Sequence, residues 1–194
     1  FQRPFVEAYR QSADSNAWRS DVNLALQTVP CVMSESKALV PRRVGYPRFD
    51  VQPALKVVSR GTVTSDGPNE NRYQDRCLTD IGPKLGGFVL EDLDIVVSDE
   101  LGKIVRGEAT QLDQKTQPGT AYMLKQNDFY LFDLGQNLSG FPKLQITCTS
   151  PMRLLVTFDE VLRDGDVDWR RLGCVNGVCY ELKPGAYDLE AFEP

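Results

Sequence analysis

The chain has 194 residues, 41% hydrophobic and 25% charged, enough for a globular core and too evenly mixed for a disordered or collagen-like polymer. Its 22 Lys and Arg against 27 Asp and Glu leave a formal charge of -5, which provides no positive field for nucleic acid or an anionic membrane. Histidine is absent, so Ser-His-Asp and Cys-His nucleophiles, imidazole metal sites and the usual neutral-pH proton shuttle are excluded, and any catalysis falls to carboxylates, lysine, tyrosine or cysteine.

The start, Phe1-Gln2-Arg3-Pro4-Phe5, lacks the charged and apolar regions of a secretory signal, and no stretch reaches the roughly 20 apolar residues of a bilayer span. Opening without Met and stopping at Phe192-Glu193-Pro194, the chain reads as a segment of something longer. Val6, Tyr9 and Ala13 lie at helical spacing, Asp14, Ser15 and Asn16 can stop or cap, and Ala17 to Leu26 suit a second short helix, with Trp18 as packing. Val40 to Phe49 carries Pro41 and Pro47, which force extended backbone. A boundary is expected here, between a short irregular or helical lead-in at 1–40 and a domain at 41–194.

Beyond Pro53, short β-branched and aromatic runs are broken by Gly, Pro, Asn and Asp, the pattern of a mainly β, antiparallel sandwich of jelly-roll type. Strands are expected at Leu55 to Val63, Gly87 to Val97, Ile104 to Ala109, Ala121 to Leu124, Cys179 to Leu182 and Tyr187 to Phe192. Phe129 to Leu134 is apolar on both faces and predicts a central strand. In Lys143 to Thr149, Leu144, Ile146 and Cys148 point one way; in Arg153 to Asp159, Leu154, Val156 and Phe158 do. Ser150-Pro151 between them predicts a tight hairpin.

Few motifs carry chemistry. Gly135-Gln136-Asn137-Leu138-Ser139-Gly140 has the glycine separation of a phosphate loop, but Phe141 stands where lysine is required, so it reads as a turn. Asp164, Asp166 and Asp168 alternate like the first ligands of a calcium loop, yet the sixth position is Trp169 and the twelfth Val175, so no metal is expected. Trp169, with Asp166, Asp168 and Arg170 around it, has the composition of a sugar-contact spot: an aromatic plate with charged hydrogen-bonding groups. No Asp or Glu lies in a segment that marks it as half of a hydrolytic pair. No catalytic residue is assigned, and no cofactor is implied.

Asn176-Gly177 is the preferred centre of a type I′ hairpin, which sets Cys174 opposite Cys179 with Cα atoms about 4.5–5.5 Å apart. That lies within disulfide range; the pair is either bridged under oxidising conditions or two thiols in a reducing compartment.

The run Phe132-Asp133-Leu134-Gly135-Gln136-Asn137-Leu138-Ser139-Gly140-Phe141, then Leu144-Gln145-Ile146, then Val156-Thr157-Phe158-Asp159-Glu160-Val161-Leu162 with Asp164-Gly165, resembles the β-sandwich module of bacterial α-L-rhamnosidases of glycoside hydrolase family 78. Leu39-Val40-Pro41-Arg42, Lys183-Pro184-Gly185-Ala186-Tyr187 and Phe192-Glu193-Pro194 extend the resemblance over Leu39 to Pro194, while 61–117 matches little. The resemblance implies a non-catalytic accessory domain that packs on a catalytic (α/α)6 barrel of the same parent chain. It also implies rhamnose-containing oligosaccharide as the parent's substrate and a periplasmic or extracellular location. Asp133, Gly135, Gln136, Asn137, Gly140 and Glu160 match the module's motif and are implied to turn and brace the sheet. The other reading is an autonomous carbohydrate-binding module for plant or pectic sugars, centred on Trp169.

Overall fold

Lys143–Cys148 and Met152–Thr157 are strands with the expected alternation, but they face each other across the core instead of pairing edge to edge. The computed structural model describes residues 7–12, 14–15, 17–25, 28–46, 48, 50–66, 103–169 and 176–191. Within them the chain is mainly β. The strands are β1 (Glu7–Gln11), β2 (Lys56–Thr64), β3 (Val105–Lys115), β4 (Asp128–Asp133), β5 (Lys143–Cys148), β6 (Met152–Thr157), β7 (Leu162–Arg163), β8 (Asp166–Val167), β9 (Gly177–Leu182) and β10 (Gly185–Glu190). They form sheets of order β1-β9-β6, β10-β5, β3-β2-β4 and β7-β8. Only β1 with β9 is parallel.

The β1-β9-β6 and β10-β5 sheets enclose one core. Val178, Tyr180 and Leu182 of β9 meet Cys148 of β5, Tyr187 and Leu189 of β10, and Ala191. Leu144, Ile146, Leu154, Val156 and Phe158 pack against that cluster, as their alternation predicts, each half-buried. Period-2 patterning puts apolar side chains on the shared inner faces of a sandwich and leaves Lys143, Gln145, Thr147, Arg153, Asp188 and Glu190 outside.

The predicted hairpin at Ser150-Pro151 is corrected. β5 pairs with β10 and β6 with β9, so 149–151 carries the chain from one sheet to the other. Lys183-Pro184 makes the same crossing between β9 and β10. Register sets the two crossings side by side, Cys148 opposite Gly185 and Met152 opposite Leu182. Proline lacks a ladder donor, which suits a chain leaving a sheet. The Lys183 carbonyl ties this corner together, accepting from Cys148 Sγ at 3.0 Å and from the Tyr187 hydroxyl at 2.6 Å.

The lead-in also differs from expectation. Residues 7–11 form strand β1 instead of a helix, and β1 lies beside β9 with Tyr9 stacked on Tyr180, ring centroids 5.2 Å apart and planes 18° from parallel. Tertiary pairing with a formed sheet overrides a weak three-residue helical spacing. The second helix is reduced to one 3-10 turn, Ala17–Arg19. β1 precedes the boundary expected near residue 40, yet its partner β9 follows it. Between the 3-10 turn and β2 the described residues contain no strand and are almost all exposed.

In the third sheet β2 is central, pairing with β3 on one side and β4 on the other. The central position predicted for Phe129 to Leu134 is therefore corrected: among the described residues β4 is an edge strand, and only Leu131 of it is buried. The apolar character on its outer face serves an aromatic cluster, with Tyr122 edge-on to Tyr130 (5.5 Å) and Phe132 (5.2 Å). Ala121 to Leu124 is not a strand, β3 runs on to Lys115, and the strand expected at 87–97 lies outside the described residues.

Candidate functional site

The acidic stretch before Trp169 folds as a two-residue hairpin. Leu162 pairs with Val167 and Arg163 with Asp166, while Asp164 and Gly165 take φ of 53° and 80°, the left-handed pair that a type I′ turn requires. Two of its three carboxylates are engaged. Asp166 Oδ2 accepts from Arg106 Nε of β3 at 2.5 Å, and the same guanidinium lies 3.7 Å over the Phe129 ring. Asp168 Oδ2 accepts from Arg163 Nη1 at 3.3 Å. Trp169 is half-buried, and its carbonyl accepts the Asn176 amide at 2.9 Å. The Arg106–Asp166 pair ties the β7-β8 hairpin to the β3-β2-β4 sheet. Arg170 lies outside the described residues. No group of acidic or cysteine side chains among the described residues is arranged to hold a metal ion.

The six motif residues divide by role. Asp133 Oδ1 accepts the Gly135 amide at 2.7 Å, and its carbonyl accepts the Leu55 amide at 2.7 Å, so it closes the turn after β4 and joins it to the entry of β2. Lys56 Nζ sits 3.0 Å from Asp113 and 3.9 Å from Asp133. Gly135 has φ of 78°, and a Cβ there would lie 2.8 Å from Leu55 Cδ2. Asn137 Nδ2 donates to Glu160 Oε2 at 2.8 Å, linking the loop after β4 to the loop after β6. Gln136 and Gly140 are exposed, and a Cβ on Gly140 would meet nothing within 4 Å.

The hairpin proposed at Asn176-Gly177 is not formed. Gly177 is already in β9, opposite Thr157, and the Asn176 carbonyl accepts the Phe158 amide at 3.0 Å. Cys179 stands opposite Leu155 on one side and Ala8 on the other, so both of its ladder positions are occupied. Cys174 lies outside the described residues.

A cleft of about 360 Å³ opens where the edge strands β1 and β10 border the core, with Trp18 and Arg19 of the 3-10 turn and Phe141 also lining it. Tyr9 and Gln11 of β1, Tyr180 of β9 and Leu189 and Glu190 of β10 line it. Trp18, which the sequence suggested was packing, is 56% exposed on its rim. Arg19 Cζ lies 5.4 Å from the indole centroid. On the outer face of the same sheet Glu181 accepts from Arg10 Nε at 3.0 Å and Arg153 Nη2 at 3.2 Å, which holds its carboxyl below the ordinary 4.5. Sequence reasoning missed the cleft because its residues come from five separate segments, and the only local sign was an aromatic beside a cation at Trp18-Arg19.

No family model, curated protein or solved structure matches the chain. Among the described residues the geometry offers a packed core between two sheets, a braced acidic hairpin and an open cleft of aromatic and polar side chains. Among the described residues, no helix is long and apolar enough to cross a membrane.

Proposed function

We propose that this chain is a non-catalytic accessory domain of an α-L-rhamnosidase-like glycoside hydrolase, packing in its parent against an (α/α)6 catalytic barrel and walling part of the cleft for a rhamnose-containing oligosaccharide, in the periplasm or outside the cell. One observation carries the packing: the arm between the 3-10 turn and β2 presents Val22 at 95% exposure and Val32, Met33 and Leu39 each at 93%, with Val29, Val40, Val44, Tyr46 and Val51 also exposed. Isolated exposed apolar residues are ordinary, and a run of this length supplies apolar surface that packing against another body would cover. Each such side chain gains roughly 1.5–3 kcal/mol when fully buried. The hydrogen bond from Asn137 to Glu160, which joins two loops of the motif, supports a structural role for these residues.

The test compares the chain alone with the chain joined to the sequence that follows it in its gene. The lone chain leaves an aryl α-L-rhamnoside intact and is cut rapidly by protease within 28–46; the longer protein hydrolyses the glycoside and protects that arm. Turnover by the lone chain that disappears when one of its own carboxylates is removed overturns the non-catalytic reading. Equal proteolysis of the arm in both proteins overturns the packing.

A further inference from the structure

We infer that Asp164-Gly165, at the tip of the β7-β8 hairpin, is a site of spontaneous isoaspartate formation, and that Asn176-Gly177, the pair of ordinarily faster chemistry, is spared by the fold. The reaction needs a short acidic or amide side chain followed by a backbone nitrogen that no side chain shields, which glycine, having no Cβ, provides. The described residues hold one such aspartyl pair, 164–165, and one asparaginyl pair, 176–177. Attack by the Gly165 nitrogen on Asp164 Cγ forms a C–N bond, and the amide proton and the carboxyl OH leave as water, giving a cyclic imide. Water then adds at the main-chain carbonyl carbon of Asp164 and breaks its bond to the Gly165 nitrogen. The chain now runs through Cβ and Cγ, a carboxylate remains on Cα, and composition and charge are unchanged.

The two pairs differ in what holds the reacting nitrogen. Asp164 and Gly165 are exposed, a Cβ on Gly165 would meet nothing within 4 Å, and among the described residues no backbone hydrogen bond fixes the peptide unit between them. Each flanking strand is two residues long, so opening the tip to bring nitrogen and Cγ together disturbs little structure. Gly177, by contrast, is buried in β9 opposite Thr157. Its nitrogen belongs to the planar unit whose carbonyl, that of Asn176, accepts the Phe158 amide at 3.0 Å, and the Asn176 amide is held by the Trp169 carbonyl at 2.9 Å. Turning that nitrogen toward Asn176 Cγ breaks the entry of a central strand. At the hairpin tip the product has a structural consequence. An added backbone carbon in a two-residue turn no longer matches the rung of Arg163 with Asp166, and Asp166 is the residue that pairs with Arg106 of β3. Isomerisation therefore loosens the hairpin from the β3-β2-β4 sheet.

The whole chain is incubated for weeks at neutral pH and physiological temperature, folded and in guanidinium chloride. Its peptides are then scored for isoaspartate with an isoaspartyl-specific methyltransferase and for the mass gain of deamidation at Asn176. Isoaspartate at 164 should form in the folded chain less than tenfold more slowly than in the unfolded one, whereas folding should slow the reaction of Asn176 at least tenfold. Asp164→Asn keeps a residue that the turn favours and passes through the same imide with loss of ammonia, so in the folded protein, checked by circular dichroism, it should convert faster than Asp164. Amide hydrogen exchange across 162–167 should be faster in the isomerised fraction than in fresh protein. Slowing of tenfold or more at 164, slowing of less than tenfold at Asn176, or an Asp164→Asn variant that converts no faster overturns the assignment. Unchanged exchange in the isomerised fraction overturns the loosening of the hairpin.

Discussion

Asn137 and Glu160 are 23 residues apart in the chain and meet through one hydrogen bond, Nδ2 to Oε2 at 2.8 Å. Both are exposed, so the bond competes with water, yet it joins the loop that leaves the β3-β2-β4 sheet to the loop that leaves β6. A double-mutant cycle of Asn137→Ala and Glu160→Ala, read by urea denaturation, should give a coupling of about 0.5–1 kcal/mol. Coupling indistinguishable from zero would show that the two loops are held by other contacts.

At the corner where two crossings run side by side, Tyr187 is 8% exposed and its hydroxyl donates to the Lys183 carbonyl. Tyr187→Phe removes the donor and keeps the ring, and should destabilise by about 1–2 kcal/mol. Tyr187→Ala also empties core volume and should cost about 3–5 kcal/mol. Equal losses in the two variants would mean that the hydroxyl contributes nothing.

Gly135 combines a φ of 78° with a site where a Cβ would press on Leu55 Cδ2. Gly135→Ala should therefore lose on the order of 2–3 kcal/mol from backbone strain and crowding together. Gly140→Ala, in open space five residues on, should change the unfolding midpoint by no more than about 0.5 kcal/mol equivalent. The contrast is the measurement, since both glycines belong to the same motif.

Glu181 lies opposite Arg10 on one side and Arg153 on the other, and their hydrogen bonds hold its carboxyl below 4.5. A carboxyl with a depressed folded pKa adds stability that is complete above its unfolded value and is lost as pH falls through the lower folded value. As the pH falls below the ordinary carboxyl value and on through the lower folded one, the protein should lose stability more steeply than its Glu181→Gln variant. Parallel curves for the two proteins would assign the acid sensitivity to other carboxylates.

Cys31 is exposed and Cys148 is buried with its thiol directed to the Lys183 carbonyl. Iodoacetamide followed by peptide mass mapping should modify Cys31 promptly and Cys148 only at the rate of unfolding. Prompt modification of Cys148 in native buffer would show that the crossing corner opens locally.

Alternation within 143–148 and 152–158 made the inward faces legible, because side chains on a strand have a period of two whatever the strand pairs with. The same pattern is silent about neighbours. A short Ser-Pro connection fits a hairpin and an inter-sheet crossing equally well, and only the long-range register with β9 and β10 separates them. The turn dipeptides show the same limit. Asn176-Gly177 has the hairpin composition but sits at the entry of a central strand whose two edges are taken, while Asp164-Gly165, with fewer flanking apolar residues, makes the hairpin. Turn propensity is decided by whether the flanking segments are available to pair. The cleft was illegible for a related reason: Gln11, Trp18, Phe141 and Glu190 carry no common spacing, and the topology alone collects them.

The pairing of β1 with β9 joins residues 171 positions apart, as Arg10 to Glu181 shows. In a chain made from its N-terminus, β1 is the first of these strands to emerge and must wait for almost the whole remainder before its place exists. Such distant pairing is slow, and until it happens β9 offers a bare row of backbone donors and acceptors beside β6. Time thus becomes a hazard built into the topology: at high synthesis rates, the vacancy on a nascent molecule is open to the first strand of its neighbour.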